Sequence, residues 1–157
     1  MRISSLTPAD QNWVRQKIVE SWGAEFVAVH GTIYHPAELP GFAVREASEI
    51  VGLLTYLFAN KACEIVTIDA WREGLGIGTA LLEAVKEAAL CEGCHRLWLV
   101  TTNDNTHAFR FYQKRGFVIT AIHLHAVEKD RLLKPQIPLL GNDGIPIRDE
   151  IEMEMWL

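Results

Sequence analysis

Apolar positions along the chain change rhythm several times, and each change predicts an element. Residues 2–6 read as a short strand. Thr7, Pro8 and Asp10 form a helix entry, and Trp13, Val14, Ile18, Val19 and Trp22 then recur at helical spacing until Gly23. Residues 26–33 alternate weakly, as either a strand or an irregular segment would, and the prolines and glycine of 34–41 mark a loop. Three strand-length runs follow, 42–46, 50–58 and 64–69, separated by short polar turns, the pattern of an antiparallel meander. From Ile77 the period is helical again. Ile77, Leu81, Val85 and Ala88 share one face, Glu83, Lys86 and Glu87 turn outward, and Gly93 stops the helix. Residues 96–101 are the next strand. A strand, a helix and a strand in that order make a crossover unit, so 64–69 and 96–101 are expected to lie parallel.

A second, shorter helix is expected from a cap at or near Asn105 to Gly116. Residues 117–127 read as a long strand, with His123 and His125 on one face. Residues 131–146, with three prolines and two glycines, read as an extended loop. The last run, 150–156, alternates: Ile151, Met153 and Met155 face inward, and Glu150, Glu152 and Glu154 form an outer, solvated face. No repeat or linker divides the chain, so residues 1–157 are expected to fold as one α/β (α+β) domain.

Composition narrows the function. The chain is 49% hydrophobic and 22% charged, as a folded globular protein is, and its net charge of −5 disfavours non-specific binding to nucleic acid or to anionic membranes. No apolar run is long enough to span a bilayer, and the first residues lack a signal-peptide core, so a cytoplasmic protein is expected. Cys63, Cys91 and Cys94 fit thiols in a reducing compartment.

The chemistry is concentrated between residues 64 and 117. Gly74, Gly76 and Gly78 lie where a strand passes into a helix, an arrangement that bares backbone N–H groups to a phosphate at the positive end of the helix dipole. One strand later come Asn105 and Tyr112, then Gly116 and Phe117. Together these features supply a cradle and a proton donor.

This order of elements, with the glycine loop and the Asn105…Tyr112…Gly116-Phe117 block, resembles the GNAT superfamily of acyl-CoA-dependent N-acyltransferases. The resemblance implies a mixed, mostly antiparallel sheet with flanking helices and a central parallel pair whose strands splay around the pantetheine arm of acetyl-CoA. The family loop runs Gln or Arg, two residues, Gly, one residue, Gly or Ala. Gly76 and Gly78 match, Glu73 stands at the first position, and Arg72 lies one residue early. Carried over position by position, the cofactor-binding residues are Ile68, Arg72, Gly74, Gly76, Ile77, Gly78, Thr79 and Asn105. Glu73 is expected to face solvent while Arg72 supplies charge. Ile68 matches the position whose amide faces the thioester carbonyl, and Tyr112 the acid that protonates the CoA thiolate. Glu64, four residues before Ile68 and therefore expected on the same strand face, is the first candidate base, ahead of Asp69, His123 and His125.

The expected activity is acetyl transfer from acetyl-CoA to a primary amine of a small molecule or peptide, by direct attack in a ternary complex. The alternative is a non-catalytic acyl-CoA-binding regulatory module. A homodimer would pair through the long last loop and the terminal strand. Trp13 and Trp22 are expected in the core. A dinucleotide-binding loop fits less well, because Ala80 or Leu81 stands where its third glycine falls. Cys91-Glu-Gly-Cys94-His95 spells a haem-attachment pattern but sits at a helix end leading into a core strand, where small thiols pack at a turn. No metal is assigned.

Overall fold

The computed structural model describes residues 1–157. The strands are β1 (Arg2–Ser5), β2 (Val27–Val29), β3 (Thr32–Tyr34), β4 (Gly41–Glu46), β5 (Glu49–Ala59), β6 (Ala62–Ala70), β7 (Arg96–Thr102), β8 (Val118–His123) and β9 (Glu150–Trp156). The helices are α1 (Gln11–Trp22), α2 (Ile77–Glu92), α3 (Thr106–Gln113) and α4 (Ala126–Leu133). Seven strands form one sheet in the order β1-β4-β5-β6-β7-β9-β8, antiparallel everywhere except between β6 and β7, while β2 and β3 form a separate hairpin. The mixed sheet with one parallel pair is the expected architecture.

Long strand β5 separates two apolar layers. Leu54 and Tyr56 point into the larger cluster, which α2 covers with Ile77, Leu81 and Val85. Leu53 points the other way and packs with Val14 and Ile18 of α1 and Val27 of the hairpin. Gly23 ends α1 and Gly93 ends α2, each in the left-handed conformation that glycine adopts at least cost.

Three expected features are corrected. Residues 117–127 are not one strand: β8 stops at His123, His125 takes φ 60°, and α4 begins at Ala126. The expected loop 131–146 therefore starts inside a helix. His123 ends a strand and His125 caps a helix, so they do not share a strand face. The weak alternation at 26–33 is a hairpin whose turn, His30 and Gly31, has φ 41° and 74°, as a two-residue turn of this hand requires. The terminal strand β9 is hydrogen-bonded on both edges, to β7 and to β8, so pairing across a homodimer has no free edge there. No helix is long and apolar enough to cross a membrane.

Candidate functional site

Strands β6 and β7 pair over only three positions, from Ala62 with Arg96 to Glu64 with Trp98. Beyond them the strands diverge, because β7 stays registered with β9 along its whole length while β6 follows β5. The gap opens into a groove of about 790 Å³. Ile68, Arg72, Gly74, Gly76, Ile77, Gly78, Thr79, Asn105 and Tyr112 all line it. The splay is as expected, and the groove brings these residues together, while Glu64 lies elsewhere.

At one end of the groove the loop turns into α2. Gly76 is the residue before the helix, with φ 69°, and offers no side-chain cap. The first helical hydrogen bond runs from Ala80 N to Gly76 O. The N–H groups of Ile77, Gly78 and Thr79 therefore precede the ladder and are free to hold an anion. Ile77 can contribute only its backbone, since its side chain is core. Gly78 is small for a packing reason: a Cβ there would fall 2.8 Å from the Phe111 ring.

Glu73 and Arg72 are both exposed and both line the groove, and Arg72 is paired with Glu49. The cation built into the groove is Arg115, which the sequence reading missed. Its guanidinium donates to Thr79 Oγ1 at 2.8 and 3.0 Å and to Phe111 O at 2.9 Å, and stacks 3.8 Å over the Phe111 ring. The only local signal was a basic residue four positions after Phe111. Arg115→Ala is expected to weaken acetyl-CoA binding by about fivefold to tenfold, a fraction of a charged hydrogen bond's worth. Arg72→Ala should change it little, and calorimetry on both variants checks the contrast.

Tyr112 projects from α3 into the groove wall. Its ring meets Phe111 and Phe117 edge to face, at 5.2 and 5.3 Å. Burial, reinforced by the Asp69 carboxylate, raises the phenol well above its ordinary value, so it stays protonated. No protein group bonds its hydroxyl, yet no buried side-chain polar atom in the structure is unpaired; the hydroxyl must open to the groove. Asn105 caps α3, accepting from Ala108 N at 3.3 Å and donating to Thr101 Oγ1 at 3.2 Å. Trp22 is not core: it is 42% exposed, lines the groove and donates to Asp69 at 3.2 Å. Burial raises Asp69 against that hydrogen bond.

Glu64 and Ile68 are on opposite faces of the sheet. Thr55 pairs with Thr67 and Tyr56 with Ile65, leaving Val66 as an extra residue. This bulge shifts the side-chain alternation by one position. Ile68 faces the α2 core, whereas Glu64 lines a second cavity of about 380 Å³ with His30, Tyr34, Arg96 and Trp98. Glu64 is 3% exposed; Oε2 lies 2.7 Å from His30 Nε2, and Oε1 accepts from the Tyr34 hydroxyl at 2.7 Å. Asp69, His123 and His125, the other expected candidates, line neither cavity.

Nor is the acidic face of β9 fully solvated. Glu150 is 2% exposed and accepts from His30 N, and Asp130 of α4, equally buried, accepts from Gly31 N, both at 2.9 Å. Burial, then the hydrogen bond that the protonated Glu150 donates to Asp130, raises the Glu150 carboxyl above its ordinary range. The folded protein thus favours the protonated form. The associated stability is complete below the ordinary carboxylate range and is lost as pH rises through the raised value. Glu150→Gln keeps both hydrogen bonds without the charge. It is expected to raise the melting temperature at pH 8 by about 2–4 °C and to flatten its pH dependence, read by thermal melts across pH 5–8.5.

Comparison with known proteins follows the same lines. The profile of the Acetyltransferase (GNAT) family matches residues 9–117. The protein YdhI of Bacillus subtilis (strain 168) is 50% identical over 131 residues, 83% of this chain and 82% of YdhI. The fold is similar to that of the IAA acetyltransferase from Bacillus cereus ATCC 14579, with TM-score 0.72 and 20% identity over 99% of each chain. It is also similar to a Bacillus subtilis acetyltransferase solved in complex with CoA, with TM-score 0.69 and 21% identity over 99% of this chain and 98% of that one.

Proposed function

The chain is an acetyltransferase of the GNAT family, and we propose that it transfers an acetyl group from acetyl-CoA to a primary amine by direct attack in a ternary complex. The observation that carries this reading is the groove itself. One gap between two splayed strands joins the free N–H groups of α2 and Arg115 to the unpaired hydroxyl of Tyr112. A diphosphate fits the first group of features, and a thioester laid along the gap reaches the second. The CoA held by the structural relative supports the same ligand here.

Each residue then has a task. The Ile77, Gly78 and Thr79 amides and Arg115 hold the diphosphate; Ile68 N–H polarises the thioester carbonyl; Asn105 steadies the wall where the arm lies. The amine nitrogen attacks, a tetrahedral oxyanion forms, and Tyr112 donates its proton to the departing thiolate. The base expected from the sequence, Glu64, lies off the groove in the second cavity, so the proton that the ammonium must lose is left to solvent. No cysteine stands as nucleophile: Cys63 and Cys94 are buried, and burial raises both thiols, while the exposed Cys91 lines neither cavity.

A panel of primary amines screened for acetyl-CoA-dependent thiol release tests the reading. Release with one amine and formation of its N-acetyl product support it. Thermal stabilisation by acetyl-CoA with no turnover would instead mark a binding module.

A further inference from the structure

The groove is lined from both faces of the sheet. Ile77, Leu99 and Tyr112 belong to the layer that α2 covers, whereas Val66 packs in the α1 layer and Trp22 is the last residue of α1. The residues given to the cofactor come from β6, the cradle loop, α2, α3 and Arg115. None comes from α1, so an acceptor that approaches the thioester from the α1 side passes Trp22.

Trp22 is fixed at both ends. Its carbonyl accepts from Lys134 Nζ at 2.6 Å, and its indole Nε1 donates to Asp69 Oδ2 at 3.2 Å. The ring nevertheless stays wet, at a cost in apolar surface that folding onto the core would have avoided. Asp69 stands behind the ring rather than in the groove. Its Oδ1 has no protein partner, and no buried side-chain polar atom is unpaired, so Oδ1 is open to solvent. Asp69 directly follows Ile68, which anchors the ring one residue from the amide assigned to the thioester carbonyl.

The chemistry of this corner favours a cation. The face of an indole is the negative end of its quadrupole, and an N–H bonded to a carboxylate places a full negative charge at the ring's edge. The positive side chains that line the groove, Arg72, His107 and Arg115, come from the cradle loop, α3 and the turn after it. Lys134 is buried against the Trp22 and Phe26 carbonyls and does not line the groove.

We propose that Trp22, with Asp69 as its positioning residue, is the platform that receives the acceptor as an ammonium ion. The acceptor is then an aliphatic amine, charged at neutral pH, and not an arylamine, which is neutral there. This names the substrate class of the acetyl-transfer reading and rests on it. Held on an exposed face, the ammonium stays hydrated and gives one proton to solvent before it attacks as the neutral amine.

The test titrates the CoA-bound protein with tetramethylammonium chloride, which has the charge and no proton to lose. Tert-butanol, uncharged and of similar shape, is the control at matched ionic strength. The chain has five tryptophans, and the indole N–H resonance missing from Trp22→Phe is that of Trp22. That resonance is expected to shift saturably with tetramethylammonium and not with tert-butanol. Asp69→Asn keeps a carbonyl for the indole but loses the charge, so the same shift should need a higher tetramethylammonium concentration. For an amine that turns over, Trp22→Leu is expected to raise KM about threefold to thirtyfold, the weight of one cation–π contact. Its kcat and acetyl-CoA affinity should change little, and Trp22→Phe should fall between. An unmoved Trp22 resonance, or an equal shift with tert-butanol, overturns the platform. So does a loss of acetyl-CoA affinity in Trp22→Leu, or an amine panel whose only substrates are arylamines. A wild type that turns over no amine removes the acetyl-transfer reading and its acceptor together. Turnover with an unmoved resonance removes the platform alone.

Discussion

Replacing Tyr112 by phenylalanine is expected to lower kcat roughly a hundredfold, the usual weight of one positioned acid, and to leave acetyl-CoA affinity nearly unchanged. The ring contacts with Phe111 and Phe117 survive the change, so the wall of the groove is preserved. Only the hydroxyl is lost, and that hydroxyl has no partner in the protein to strand. Burial and the nearby Asp69 keep the phenol protonated, so a proton is available when the thiolate leaves. For the same reason the wild type should not lose its acid at mildly alkaline pH. Steady-state kinetics beside calorimetry separates the outcomes. Full activity in the variant takes Tyr112 out of the acid role, and a loss of affinity would show that its part is structural.

Gly76→Val is expected to weaken acetyl-CoA binding by about one to two orders of magnitude, the equivalent of the 1–3 kcal/mol that a residue forced into a sparsely populated backbone region costs. Crowding is not the cause. No atom lies within 4 Å of the position a Cβ would take, but the backbone there has φ 69°, which a β-branched residue resists. Relaxing that strain moves the residue before α2 and with it the Ile77, Gly78 and Thr79 amides. Gly76→Ala, less hindered, should lose less. An unaltered dissociation constant in the valine variant would remove the loop from diphosphate binding. Gly78 obeys a different constraint, because a side chain there would push on Phe111 and disturb Arg115 through its stacking contact.

The elements that were legible carry their signal in local order. Helices α1 and α2 follow apolar periodicity and glycine stops almost to the residue, and the strand–helix–strand order implied the parallel pair. Helix α4 was hidden for a definite reason. Its buried positions are Val127 and Asp130, followed by Lys134 just past its end, so its inward face carries charge where a pattern reader looks for oil. Lys134 is held there by donating to the carbonyls of Trp22 and Phe26. Those partners lie more than a hundred positions away in the chain, beyond any window of periodicity.

The candidate site divides in the same way. Residue order marked the glycine turn and the Asn105 cap, because a backbone turn and a helix cap depend on near neighbours, whereas Tyr112 was singled out by the family resemblance. Packing in three dimensions settled three other matters: that Glu49 takes Arg72 and leaves Arg115 to the groove, that an extra residue at Val66 turns Glu64 to the far side of the sheet, and that His30 meets it there. Strand register and the pairing of charges depend on which segments meet, and His30 and Glu150 meet across 120 positions. No local run of residue types encodes such an encounter; it exists once the layers have closed and each buried carboxylate has found a donor.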